Sequence, residues 1–302
     1  MRPEGPSVWC AAGHSPMELS LAQTVLLPAI VAVAVLLLPR GPWCIQRTPA
    51  QIAPWTACCA LPLAVVLAMF LIEGAQVFTL AQRWYALWFV AVVFAGAALP
   101  AALPPHMPRN SPILLAAAAA LALFMLRLPT LDSWGARLLL IAVGTMFAGR
   151  FAEVAARIPR TSTLVLATSM GSMAVTLLAA GSLKVGLIAS SLALVFGAAI
   201  FLMLRVRTLM LGSAFAASGI VILISFAWYG AAYHGGGAVH RLGWAAIACS
   251  GALLCGLPLD RLGLPYQERR RPTVIIVSIT SCLLSIACAI HALVSTTAAS
   301  AE

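Results

Sequence analysis

Ten stretches of this sequence, each about twenty residues long, are nearly free of charge. They cover 20–39, 52–73, 84–104, 111–127, 134–154, 161–182, 184–204, 208–229, 242–258 and 273–293. A helix that crosses a bilayer needs about 20 consecutive apolar residues. In lipid the backbone must satisfy its own polar groups, which leaves helices and closed barrels. Runs this long predict helices. The chain is therefore expected to be all-α, a polytopic membrane bundle of about ten transmembrane helices. Composition agrees, since 62% of residues are hydrophobic and 9% are charged. Soluble domains carry about 45–50% apolar and about 25% charged residues. A soluble enzyme, a disordered chain and a secreted disulfide scaffold are excluded.

The formal net charge of +10 has a membrane explanation. Basic residues between spans set orientation, and they concentrate on the cytoplasmic side. With the N-terminus outside, twelve of the 18 basic residues fall on inner loops: Arg40, Arg47, Arg109, Arg150, Arg157, Arg160, Arg205, Arg207, Arg261, Arg269, Arg270 and Arg271. The expected topology is thus N-out and C-out, in a membrane of the bacterial cytoplasmic type. Tyr85, Trp88, Trp134, Trp228 and Trp244 fall at expected outer ends, where amphipathic rings prefer to sit. No basic stripe is interleaved with aromatics, so nucleic acid is not an expected partner.

Residues 1–19 read as an extracytoplasmic tail, 20–293 as one transmembrane domain and 294–302 as a C-terminal tail. The first segment lacks the basic, apolar and small-residue regions of a secretory signal. The fifth run is the weakest, because its purely apolar part is flanked by Arg137 and Arg150. It reads either as a tilted span or as a re-entrant segment. Two proline-ended hairpins resemble each other: Arg83 to Pro112 and Arg241 to Pro272. They suggest a parallel four-helix repeat, with spans 1–4 matching spans 7–10. In length and span number the chain resembles the ten-helix drug/metabolite transporter superfamily. That family carries an inverted five-plus-five repeat with both ends inside, opposite to the topology expected here.

No ionisable group falls at an expected bilayer midplane. Pumps and proton relays keep such groups deep in the membrane, so coupling through a buried central carboxylate is not expected. The polar residues inside spans are small: Ser169, Ser172 and Thr176 in span 6, Ser190 and Ser191 in span 7, Ser213 and Ser218 in span 8. They read as helix packing, or as a weakly polar pathway. Glu73 ends span 2, where Arg83 is the nearest cation in sequence. Arg150, Glu153 and Arg157 lie three and four apart, on one helix face. They form a local ion pair, or they recognise a headgroup phosphate.

His234, His240 and His291 are weak metal candidates at the outer side, and no cofactor fingerprint is present. The eight cysteines lack CxxC spacing and read as apolar packing residues. Arg269, Arg270 and Arg271 suit anionic lipid. Three functions remain. The first is a permease-like transporter for a neutral, amphipathic or lipidic solute. The second is a non-catalytic subunit that packs on membrane protein partners. The third is an enzyme acting on a lipid headgroup at the inner interface, for which His106, Arg109, Arg150 and Glu153 are the candidates. No sequence motif identifies a reaction.

Overall fold

The structure is a computed structural model. It describes residues 21–37, 49–79, 85–98, 111–127, 133–180, 182–205 and 211–234, with isolated helical positions between 276 and 287. Among these residues there are eight α-helices: α1 (Leu21–Leu37), α2 (Pro49–Glu73), α3 (Ala86–Ala98), α4 (Ser111–Arg127), α5 (Trp134–Arg157), α6 (Pro159–Ala179), α7 (Leu183–Arg205) and α8 (Gly212–His234). They match the first eight expected spans in order. Five segments are long and apolar enough to cross a membrane: Cys59–Phe78, Trp134–Arg157, Pro159–Ala179, Leu183–Arg205 and Gly212–Gly230. The chain is a multi-span membrane protein. Spans 9 and 10 and both tails lie outside the described residues, except for Ile276, Ile279, Thr280, Leu283 and Ala287, which are helical and exposed. The second proline-ended hairpin of the expected repeat, 241–272, lies there too.

The weakest expected span is a continuous helix of 24 residues. At about 1.5 Å per residue it is long enough for a hydrocarbon core of about 30 Å. That length fits the tilted-span reading. The flanking arginines do not break α5 because each is managed at an end. The Ser133 hydroxyl accepts from the Ala136 amide at 3.4 Å and caps the helix. One turn on, the Arg137 guanidinium lies 5.3 Å from the centre of the Trp134 ring. At the far end Arg150 pairs with Glu153 at 2.8 Å. Long arginine stems lie along apolar surface and carry their charge outward.

α5 and α6 are separated by Ile158 alone. Pro159 forces the break, since it disfavours helical geometry in the residue before it. Pro159 also starts α6 well, because a first-turn residue needs no amide donor. Its carbonyl accepts from the Ser162 hydroxyl at 2.9 Å and the Thr163 hydroxyl at 2.7 Å. The basic loop expected between spans 5 and 6 is therefore absent, and Arg157 and Arg160 are helical residues. Span 8 starts at Gly212 rather than at 208. Gly212 has φ +76°, which breaks the chain before the helix begins.

α8 is the most enclosed of the five long segments, and α5 is the least. α8 packs against α2, α3, α4, α5 and α6. Its Phe215, Ile220, Val221, Leu223 and Phe226 are all buried. Lipid tails are as apolar as leucine, so close packing rather than burial from water holds such helices together. Four glycines supply the closeness, among them Gly149 of α5, where a methyl group would lie 2.5 Å from Leu114 of α4. A methyl group at Gly219 of α8 would lie 2.5 Å from Phe196 of α7 and 3.1 Å from Leu166 of α6. One at Gly186 would meet Leu178 at 2.7 Å, and one at Gly144 would meet Leu121 at 2.8 Å. Gly171 of α6 and Gly197 of α7, in contrast, face open space. Pro28 and Pro62, expected inside spans 1 and 2, are buried within helices that continue past them.

Candidate functional site

Two sets of polar groups stand out in an otherwise apolar interior. The first is a cluster where α2 ends and α3 and α7 begin. Glu73 is the last residue of α2. Gly74 follows with φ +68°, the left-handed conformation that commonly closes a helix. A 3₁₀ turn over Gly74–Thr79 then folds back onto the bundle. Val77 in that turn is buried, and its carbonyl accepts from the Trp88 indole at 3.2 Å. Phe78 packs edge-on against Trp88, with ring centres 5.6 Å apart.

This arrangement places the Glu73 carboxylate among partners from two other helices. One oxygen accepts from the Lys184 ammonium at the start of α7. The other accepts from the Tyr85 hydroxyl, just before α3, at 3.2 Å. The Glu73 side chain is only 10% exposed, whereas Lys184 is 41% exposed. Sequence proximity suggests Arg83 as the cation, but the structure supplies Lys184, which is 111 residues away. Arg83 lies outside the described residues. One signal for this was present. Lys184 is the only lysine in the chain. Alternation of the spans also puts it at the same bundle end as Glu73.

The second set is made of hydroxyls. Six bond to carbonyls of their own helix: Ser162, Thr163, Thr168, Thr176, Ser190 and Ser225. Four do not. The hydroxyls of Ser172 on α6, Ser191 on α7, Ser218 on α8 and Thr145 on α5 are buried and have no hydrogen-bond partner among the described residues. The contact between Leu178 and Gly186 fixes the register of α6 against α7. From it, Ser172 and Ser191 stand at nearly one depth, toward the middle of their helices. The contacts of Gly219 with Leu166 and Phe196 place Ser218 about 10 Å further along, nearer the start of α8. The unpaired groups are thus spread along the bundle rather than gathered at one point. Thr145 is an addition from α5, outside the three helices that the sequence singles out.

The remaining candidates are placed as follows. Ser169 is buried and Ser213 is half-buried. Arg150 and Glu153 form a pair on one turn of α5, with both side chains substantially exposed. Arg157 is exposed at the end of that helix. A pair so exposed contributes little. Arg150→Ala is expected to shift stability by less than about 1 kcal/mol, measured by thermal unfolding in detergent. His234 is the last residue of α8, while His106, Arg109, His240, His291 and Arg269–Arg271 lie outside the described residues. Among the described residues no three His, Cys, Asp or Glu side chains come together as a metal site. No charged residue falls in the middle third of any described helix.

No protein-family model, curated protein or solved structure matches the chain.

Proposed function

We propose that this multi-span membrane protein is a permease-like transporter for a neutral, amphipathic or lipidic solute, with α6, α7 and α8 along its path. The observation that carries this reading is the set of unpaired buried hydroxyls on those helices, Ser172, Ser191 and Ser218. A serine inside a helix can bond the carbonyl one turn back, as Ser190 and Ser225 do. A buried hydroxyl left unpaired costs about 1–3 kcal/mol. Alanine would avoid that cost. Hydroxyls kept at such a cost, and spaced along the bundle axis, suit transient bonds to a passing uncharged guest. Charge is absent from the middle of the described helices, which suits a neutral cargo and disfavours coupling through a central carboxylate. The N-out, C-out orientation and the bacterial-type cytoplasmic membrane belong to the same proposal, on the strength of the basic-residue distribution.

The test uses the purified protein in liposomes, with glycerol and urea flux read by light scattering and movement of a fluorescent phosphatidylcholine read by quenching. The protein is expected to raise permeability to at least one of these probes. The combined variant S172A/S191A/S218A is expected to lose that gain while unfolding at an equal or higher temperature, because it removes unpaired polar groups. No gain over empty liposomes, or full flux through the triple variant, rejects the proposal.

A second reading, an assembly subunit, is favoured by one feature. Leu138, Leu139, Val143 and Met146 form an exposed apolar stripe along α5. The stripe suits lipid or a partner helix equally. Co-purification of a stoichiometric membrane partner, lost on Leu139→Asn, would favour the subunit.

A further inference from the structure

The cluster at the end of α2 does more than hold a helix end in place. We propose that the Glu73–Lys184 pair, supported by Tyr85, is a reversible latch that closes this end of the bundle. The inference rests on the transport reading only in supposing that something passes once the latch opens. Three observations support it. First, the pair is non-local and ties the α2–α3 side of the bundle to the start of α7. The other ion pair described, Arg150–Glu153, joins two residues of a single helix. Second, the two partners are unequally buried. Glu73 is enclosed, but Lys184 already reaches water. Separation would leave the lysine hydrated and would admit water to a single carboxylate, so the contact can break and re-form. Third, α2 ends here in a left-handed glycine and a 3₁₀ turn rather than in a rigid helix. A hinge of that kind takes up backbone rotation without disturbing the packed helices below. The buried face of the turn, through Val77 and its bond from Trp88, docks the strap when the latch is shut.

The latch can be tested without knowing the cargo. Ala68 is fully buried on α2, about 7 Å inward of Glu73 along the helix. In a full-length protein with its native cysteines replaced, Ala68→Cys reports entry of a membrane-impermeant methanethiosulfonate, applied to each side of the membrane in turn. Modification is counted by mass spectrometry at position 68 alone. From the Glu73 side, E73Q is expected to raise the labelling rate about tenfold. The charge swap E73K/K184E is expected to return it to the parent rate, and bridging E73C/K184C with a short bis-methanethiosulfonate is expected to suppress it. If E73Q leaves labelling unchanged, or the bridge does, the latch is rejected. The charge swap and the bridge keep the test decisive should E73Q fold poorly. A latch that governs labelling in a protein whose liposomes gain no permeability upholds the latch and sinks only the transport reading. Serine-dependent flux that proceeds undiminished through the bridged protein sinks the latch alone.

Discussion

Replacing Lys184 with methionine is expected to destabilise the protein by about 3 kcal/mol, while E73Q is expected to cost about 1 kcal/mol. The asymmetry follows from where the two charges sit. Methionine keeps the length and apolar stem of lysine but removes the ammonium. That leaves a carboxylate, 10% exposed, with only the Tyr85 hydroxyl bonded to it among its described hydrogen bonds. A stranded buried charge is what makes one-sided removal of an ion pair costly. Glutamine at 73 instead leaves a lysine that is 41% exposed and can turn to water, and its amide can still accept from Tyr85. Unfolding of the detergent-solubilised protein by SDS titration measures both. Equal losses in the two variants would show that Glu73 is better hydrated than its surroundings imply.

Gly219→Ala is expected to cost about 1–3 kcal/mol, although alanine is the better helix former. The added methyl would sit 2.5 Å from the Phe196 ring. That ring cannot move aside. It is fully buried and packed edge-on against Phe215, with ring centres 5.2 Å apart. Leu166 closes the space on the α6 side. Gly171→Ala, in contrast, meets nothing within 4 Å. It should stabilise by about 0.5–1 kcal/mol through helix propensity alone. Thermal unfolding of the two single variants settles the matter. Opposite signs are expected, and a harmless Gly219→Ala would mean that α7 and α8 are not held at the separation described.

The contrast between those two glycines shows what a sequence of this kind reveals and what it hides. Long charge-free runs are a strong signal because the bilayer fixes both helix length and backbone bonding. The first eight helices are readable for that reason, α1 to α8 in order, and five long segments among them are apolar enough to cross a membrane. The fifth was hard to read because hydropathy treats Arg137 and Arg150 as breaks. In three dimensions each side chain finds a partner on its own helix, Arg137 over the Trp134 ring and Arg150 on Glu153. Which small residues meet a neighbour could not be read at all. Gly171, Gly186, Gly197 and Gly219 all lie in the charge-poor runs of spans 6–8, and only two of the four face a crowded partner. Facing direction depends on how helices are arranged around α8, and periodicity in a span that is apolar on all sides does not encode it. The partner of Glu73 was hidden for a similar reason. An ion pair across 111 residues depends on which helix ends become neighbours. Ser172, Ser191 and Ser218 were visible as candidates, but their lack of partners emerges only once the helices are packed.

The single residue between α5 and α6 has a mechanical consequence. One residue of extended chain spans less than about 4 Å. With Ile158 alone as the joint, the two rods cannot slide past each other or draw apart at that end. Any displacement along its axis that α5 undergoes must be passed straight to that end of α6, and from there to the helix in the middle.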